Sequence, residues 1–544
     1  MSFDWQPHEP DADRTQQYVR AGYWDDQSLG DVLASGLHDA ARQPFTVRSD
    51  VRPYLGSLGA VDDLARRVAT GLRARGIRAG DAVAFQLPNW VEAAATFYAI
   101  AYLGAVVVPI VHFYGPKEVG YILRKTQVKA LITADAFGHQ NYLDNLDAMR
   151  AAPGLPDLEW CAVVGEHRGH ETFGFGDLAT STRLDRPALA DPRAPALIAY
   201  TSGTTADPKG VVHVHRTITA EIRQLGALQP NDGIDMITGA PVGHGIGMLA
   251  ALLLPVWRRR AIHLIDVWNP GRVLAAMREL NVSAGQGATI FLTGLLDHPD
   301  FDLAVHAPLM RHIGLGGAAV PIAVCERALS MGIETTRSYG STEHPSITGS
   351  QWSDSWDQRA RTDGVAMQGV ELRIMNDGVE CGEGVAGEIW SRGPDCSFGY
   401  TDPALTLDRF VDGWYRTGDI GKLNTRCALT ITDRLNDVII RGGENISAVE
   451  VEELLLRLPG VAEAAVVAAP DPRMGEHACA YLRMHEGASM PGLAVVQEHL
   501  DAAGLARVKW PEELRAIVEF PRTPSGKVQK FRLRDDLRAA SDDR

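Results

Sequence analysis

The chain has 544 residues, 45% of them hydrophobic and 22% charged, ordinary proportions for a globular protein large enough to bury a sizeable core. Lys and Arg number 53 against 68 Asp and Glu, giving a net charge of −15, which argues against a nucleic-acid binder and its basic surface. The six cysteines, at 161, 325, 381, 396, 427 and 479, form no CxxC pair; this argues against a zinc site and reads as free thiols in a reducing compartment.

The N-terminal stretch "MSFDWQPHEPDADR" is acidic and lacks the basic-then-apolar profile of a signal peptide. "DDLARRVATGLRARG" has helical spacing and closes on Gly76, and "DAVAFQLPN" is a short strand. The longest apolar run, Ala93 to Val111, is divided by Gly104 and Pro109 into an Ala-rich half and a β-branched half. It reads as a buried helix followed by a strand, not as a membrane span. "VKALIT" is another strand, and "PGRVLAAMREL" is a helix opened by Pro270. This alternation predicts an α/β fold, with parallel-rich sheets layered with helices in a large N-terminal domain.

From about Gly364 the texture changes. "GVELRIMNDG" and "GEIWSRGP" predict a β-rich subdomain with Gly turns. Beyond "ITDRLNDVIIRGGENIS" the order is helix ("AVEVEELLLRL"), strand ("VAEAAVVAAP"), strand ("HACAYLRM") and helix ("LAVVQEHLDAAG"), a small α+β unit. The expected division is residues 1–433 and 434–544.

Between "ALIA" and "VVHV" lies "YTSGTTADPKG", Tyr200 to Gly210. A triphosphatase P-loop needs Ser or Thr after its Lys. Here Lys209 is followed by Gly210, so that reading fails. The physics of a phosphate cradle survives: Gly203 lets backbone N–H groups converge, Ser202, Thr204 and Thr205 add hydroxyls, and Lys209 adds charge.

Four further stretches follow in order: "SYGSTEHP" (338–345), "GWYRTGDIG" (413–421), "DRLNDVIIRGGENISAVEVE" (433–452) and "PRTPSGKVQK" (521–530). With the loop, they resemble the adenylate-forming superfamily of acyl-CoA synthetases, luciferases and nonribosomal adenylation domains. The resemblance extends to "GDAVAFQLPNWVEAA" and "LGAVVVPI", and so covers nearly the whole chain. The most similar branch is the carboxylate–CoA ligases acting on fatty, alicyclic (cyclohexanecarboxylate-type) or aryl acids. The resemblance implies ATP, Mg²⁺ and coenzyme A as the partners of a small carboxylic acid, and a C-terminal domain that swings between two half-reactions.

Residue by residue, the resemblance implies that Thr201, Ser202, Gly203, Thr204, Thr205 and Lys209 cradle the β- and γ-phosphates. Ala206 stands where the family has Gly or Ser. Gly317, Ala318 and Ala319 would underlie adenine, Tyr339 would stack near it, and Gly340 and Ser341 would complete that turn. Thr342 would bond the α-phosphate, and Glu343, with Thr204, would hold Mg²⁺. Asp419 would accept the ribose hydroxyls, with Arg434 beside it. Lys527 would be the catalytic cation between carboxylate and α-phosphate, leaving Lys530 as a solvated neighbour. Asn436, where Lys or Asp is usual, would be the hinge. Gly442, Gly443 and Glu444 would meet CoA.

The stretch "APVGHGIGMLAALLLP" (240–255) lies where the family lines its acyl pocket. An Asp that would pair an amino acid's ammonium is absent there, so an amino-acid substrate is disfavoured. Gly243, Gly245 and Gly247 are expected to leave room, with His244, Gly316 and His344 as further pocket residues. The expected protein is a cytoplasmic ligase with no nucleic-acid partner and no integral membrane association. A ligase loading a carrier-protein thiol and a non-catalytic ligand-binding homologue are the alternatives. The intact "RGGEN" loop weighs against the first, and the complete set of chemistry-bearing residues against the second.

Overall fold

A computed structural model describes residues 5–151, 154–167, 172–201, 208–435, 437–523 and 526–542. The first large sheet has seven strands, in the order Lys209–Val214, Pro195–Thr201, Val106–Pro109, Ala82–Gln86, Ala130–Ala134, Trp160–Val164 and Thr172–Gly174. All neighbours are parallel except the first two, which form an antiparallel pair. Successive residues leave it on opposite faces: Val83 and Phe85 join one core cluster, Ala82 and Ala84 another. Burial on both faces is why these strands read as unbroken apolar runs rather than alternating ones.

The run from Ala93 to Val111 is indeed a helix, Val91–Tyr102, followed by the strand Val106–Pro109. Every residue of that helix is buried, because other helices and the sheet surround it. Among the described residues no helix is long and apolar enough to cross a membrane.

A second sheet orders Ile237–Thr238, Ile262–Ile265, Pro44–Arg48 and Tyr54–Ser57. A third orders His312–Gly316, Glu334–Tyr339, Thr348–Gly349 and Val365–Ala366. The β-rich part is antiparallel, with Glu371–Asn376, Gly387–Arg392, Trp414–Leu423 and Leu429–Arg434 side by side. Its last strand ends at Arg434, and the next sheet begins at Ile439.

That next sheet carries Glu444–Ile446, Ile439–Arg441, Gly475–Met484 and Val461–Asp471, with Glu513–Ala516 parallel to Gly475–Met484. Its two faces have different cores. Val466, Ala478 and Ala480 pack with Val451 and Leu455 of one helix and Val496 and Leu500 of another. Val467, Cys479 and Tyr481 pack with Leu533 and Leu537 of the helix Lys530–Asp542. That last helix and the short strands 439–441, 444–446 and 513–516 carry too few periodic apolar residues to be read from sequence.

Candidate active site

Strand pairing sets Thr201 opposite Lys209, so the Gly/Ser/Thr loop is tied at its root. Both residues line a cavity of about 430 Å³. The expected phosphate ligands Ser202, Gly203, Thr204 and Thr205, with Ala206, lie outside the described residues, as does the expected hinge Asn436.

The strand Glu334–Tyr339 ends in a tight loop. A Cβ on Gly340 would run into the Pro345 carbonyl, and the Ser341 amide donates to the His344 carbonyl at 2.9 Å. This fold-back puts Ser341, Thr342 and Glu343 on the cavity wall. His213 braces the loop, its Nε2 lying 2.7 Å from the Thr342 carbonyl and its Nδ1 3.1 Å from the Thr217 hydroxyl. Burial lowers the His213 pKa, so the ring is neutral and Nε2–H is the donor to that carbonyl. Glu343 is 8% exposed, and the Tyr400 hydroxyl donates to its Oε1 at 2.7 Å.

Asp419 and Arg434 face each other on paired antiparallel strands. Arg434 Nε lies 3.1 Å from Asp419 Oδ1, and the Tyr339 hydroxyl donates to Oδ2 at 2.7 Å. The Tyr339 ring belongs to the core cluster of Ile347, Met367 and Ile389 and does not line the cavity. The side chain expected beside adenine is therefore an anchor for Asp419.

Lys527 reaches the same cavity from the C-terminal unit. Its loop is closed by the Thr523 amide donating to the Lys527 carbonyl at 2.8 Å and the Lys527 amide donating to Thr523 Oγ1 at 3.1 Å. Gly526 has φ +85°, and a Cβ there would approach Ile290 to 3.0 Å and Ala288 to 3.2 Å. The loop thus lies directly against the larger part of the molecule. Burial, and then the Arg434 guanidinium, pull the Lys527 ammonium down to about 8, while Asp419 and Glu343 oppose the shift. The ammonium therefore feels both carboxylates and the guanidinium of the site.

Three expectations are corrected. Lys530 is not solvated: its Nζ lies 2.7 Å from Glu452 Oε1, with side-chain exposures of 14% and 12%. Burial alone would lower its pKa, but the Glu452 carboxylate more than offsets that and raises it. His344 is fully buried and outside the cavity wall. Its Nδ1 is 2.8 Å from Ser391 Oγ and its Nε2 3.2 Å from Asp395 Oδ1. Burial would lower the imidazole, but Asp395 outweighs this and holds it up to about 10.

The third correction concerns the glycines of "PVGHGIGM". A Cβ on Gly243 would strike the Ile110 carbonyl, and one on Gly247 the Pro241 carbonyl. These two glycines permit close backbone packing, and Gly247 does not line the cavity. Only Gly245 opens onto it: a Cβ there would meet nothing nearer than Thr342 Oγ1, at 4.0 Å. His244 does line the cavity. Burial, and secondarily Lys527, push its imidazole down to about 4, leaving it neutral.

Of the expected adenine turn, Gly317 lines the cavity and Ala318 and Ala319 do not; the expected pocket residue Gly316 lines it as well. The Ala319 carbonyl accepts from Thr289 Oγ1 at 3.0 Å. Gly442 and Gly443, at φ +57° and +92°, form the two-residue turn between strands 439–441 and 444–446, as a primed hairpin requires. With Glu444 they sit away from the cavity wall.

The AMP-binding enzyme family model matches residues 56–401, and its C-terminal domain model matches residues 450–527. The chain belongs to the AMP-binding enzyme family. Within it, the chain is 31% identical to the medium-chain fatty-acid–CoA ligase of Escherichia coli, over 96% of this chain and 93% of that one. It is 34% identical to the 3-[(3aS,4S,7aS)-7a-methyl-1,5-dioxo-octahydro-1H-inden-4-yl]propanoyl:CoA ligase of Rhodococcus jostii, over 87% and 92%. Among solved structures, ATP-bound MatB from Rhodopseudomonas palustris superposes with a TM-score of 0.82 at 26% identity, covering 94% of this chain and 99% of that one.

Several residues that shape this cavity lay outside the motifs. His213 and Tyr400 act through neighbours distant in the chain. Glu221, 1% exposed, lines the cavity from the helix His215–Ala227. The helix's spacing could have revealed it, since Ile218, Glu221 and Leu225 share one face and Glu221 is its one charge.

Proposed function

We propose that this chain converts a non-amino-acid carboxylic acid to its acyl-AMP with ATP, then passes the acyl group to coenzyme A. The products are acyl-CoA, AMP and pyrophosphate. The observation that carries the assignment is the meeting of Lys527, from near the C-terminus, with Thr342, Glu343, Asp419 and Arg434 around one cavity.

The first half-reaction brings two anions together, so charge must be neutralised and groups held in place; no protein nucleophile is needed. The carboxylate oxygen attacks the α-phosphorus and pyrophosphate leaves. Lys527 supplies positive charge where negative charge accumulates, and Arg434 and Lys209 add to it. Thr342 offers its hydroxyl to the α-phosphate, and the His213 bond fixes its loop. Asp419, oriented by Tyr339 and Arg434, faces the ribose. In the second half the CoA thiol attacks the acyl carbon and AMP leaves, with Asn436 as the pivot and Gly442–Gly443 as the approach for pantetheine.

Glu343 fits Mg²⁺. One carboxylate at the edge of a phosphate site, with a Tyr400 hydroxyl fixing one of its oxygens, suits an ion that takes most of its remaining ligands from phosphate and water. The ion would offset charge on the phosphates.

The curated relatives named above act on a medium-chain fatty acid and an alicyclic keto acid. The same broad class, fatty, alicyclic or aryl acids, is the proposed substrate range here. The test is pyrophosphate release with ATP and Mg²⁺ over acetate, octanoate, palmitate, cyclohexanecarboxylate, benzoate and free amino acids, with and without CoA. Release that needs an apolar acid and turns over only with CoA supports the assignment. Turnover that ignores CoA but responds to a carrier protein contradicts it.

A further inference from the structure

The stretch Pro394–Thr401 holds Glu343 by both its backbone and its side chain. The Ser397 amide donates to the Glu343 carbonyl at 2.7 Å, and the Tyr400 hydroxyl donates to Glu343 Oε1 at 2.7 Å. The same stretch is tied to the strand that leads away from Lys209. The Phe398 amide donates to the Val212 carbonyl at 3.0 Å, the Val212 amide to the Gly399 carbonyl at 2.9 Å, and the Thr401 amide to the Gly210 carbonyl at 2.8 Å. The stretch lies between the strand Gly387–Arg392 and the helix Pro403–Arg409 and belongs to neither. A backbone with no ladder of its own takes its shape from the groups that bond to it.

Two more of its carbonyls take donors from near the start of the chain, well before residue 56, where the match to the family model begins. Trp24 Nε1 donates to the Pro394 carbonyl at 2.8 Å, and the His8 amide donates to the Phe398 carbonyl at 2.8 Å. Between these two contacts runs the helix Ala12–Arg20, which buries Tyr18. The Tyr18 ring meets Trp24 edge-on, 4.9 Å between centroids, and both join Phe398, Val214 and Ala220 in one apolar cluster. Arg14, on the same helix, pairs with Glu371, whose other oxygen accepts from Arg392 at 2.6 Å. The first residues are thus anchored to the β-rich part and bonded at two points to the stretch that carries Tyr400.

We infer that His8–Trp24 form a strap that positions Glu343, with Trp24 and His8 acting through the Tyr400 hydroxyl, and that the strap thereby sets the affinity of the site for the divalent cation that accompanies ATP. This rests on the reading of Glu343 as a ligand of that cation. A hydrogen-bond partner fixes the orientation of a metal-ligating side chain, and its loss costs about 10- to 100-fold in metal affinity. Tyr400 is that partner for Glu343, and the strap bonds to the backbone that presents it. Trp24 and His8 are positioning residues: they touch neither cation nor nucleotide.

The experiment uses point variants of the full chain, with Mn²⁺ as the probe cation. Mn²⁺ binding is followed by electron paramagnetic resonance in the presence of a non-hydrolysable ATP analogue. KM for magnesium–ATP and kcat for pyrophosphate release are measured beside it. Tyr400→Phe should weaken Mn²⁺ binding by about tenfold or more. Trp24→Phe and His8→Pro, each lacking one donor to the stretch, should weaken it by about threefold to tenfold, and should raise KM for magnesium–ATP more than they lower kcat. Combining Trp24→Phe with Tyr400→Phe should weaken binding by no more than about twofold beyond Tyr400→Phe alone, whereas independent sites would multiply their effects. Multiplied effects overturn the inference, as does a Trp24→Phe variant that melts lower yet binds Mn²⁺ like the wild type. A Glu343→Gln variant with undiminished Mn²⁺ affinity overturns it as well, by removing Glu343 from the cation. The expected Mn²⁺ behaviour without pyrophosphate release from any acid leaves the inference standing and defeats the proposed function instead.

Discussion

Asp419 and Arg434 sit opposite one another on adjacent antiparallel strands, their side chains 3.1 Å apart, with the Tyr339 hydroxyl on the other carboxylate oxygen. The carboxylate is thus set in place before nucleotide arrives. Arg434→Ala should free Asp419 to rotate and remove one cation from the site. The expected result is a higher KM for ATP and a loss of about 10²-fold in kcat/KM for acyl-AMP formation. Tyr339→Phe removes a hydrogen bond to the Asp419 carboxylate, worth about 1.5–3 kcal/mol, and should give a loss of about tenfold to 10²-fold. Pyrophosphate release at varied ATP checks both.

Lys527, proposed to act at the reacting centre, has a charge that depends on pH near neutrality. Its ammonium titrates at about 8, and only the protonated form neutralises the developing anion. The rate of acyl-AMP formation should therefore fall as pH rises through about 8. Lys527→Arg, whose guanidinium stays charged, should remove that limb from the profile even if its rate is lower. Lys527→Ala should cost about 10²–10³ in the first half-reaction while sparing thioester formation from supplied acyl-AMP. Equal loss in both halves would falsify the assigned role.

Gly247 and Gly245 look alike in sequence and should behave differently. Gly247→Ala forces a methyl into the Pro241 carbonyl and should destabilise by about 1–3 kcal/mol, as overpacking does. Gly245→Ala meets nothing nearer than Thr342 Oγ1 at 4.0 Å, so it should leave the melting temperature near wild type and act on KM for bulky acids. Denaturation midpoints set beside acid-dependent kinetics separate the two.

Lys530→Met strands Glu452 as an unpaired buried carboxylate. Breaking such a pair costs about 3–5 kcal/mol, here in the unit that carries Lys527. A lowered melting temperature is expected, together with reduced activity in the first half-reaction. Replacing both partners, Lys530→Met with Glu452→Leu, should recover much of the stability. A double variant no better than the single one would refute the pairing.

Asn436→Pro should slow thioester formation more than acyl-AMP formation, because proline restricts φ at the proposed pivot. Single-turnover measurement of each half resolves the difference. Normal rates in both halves would remove Asn436 from the hinge.

Much of the architecture was legible in local sequence. The apolar run from Ala93 to Val111 declared its helix and strand because Gly104 and Pro109 punctuate it, and local backbone chemistry is what decides such boundaries. The motifs around Lys209, Glu343, Asp419 and Lys527 were visible because phosphate, ribose and carboxylate chemistry requires particular residue types within a few positions of one another. Tertiary structure alone decided which neighbours those residues have. Lys530 is polar and three residues from Lys527, and nothing local says that Glu452 waits for it in a buried interior. His344 follows Glu343 directly, yet the fold-back at Gly340 sends one to the cavity and the other to Asp395. Gly243 and Gly247 could be taken for room until the carbonyls of Ile110 and Pro241 were seen against them. Glu221 shares a helix face with Ile218 and Leu225, but spacing alone does not give it partners. Its burial and its partners depend on Ser346 and Asp395, brought there from more than a hundred residues away. Sequence determines which groups the chain has and how they repeat locally; burial and long-range pairing, which set their charge and their partners, exist only once distant segments pack together.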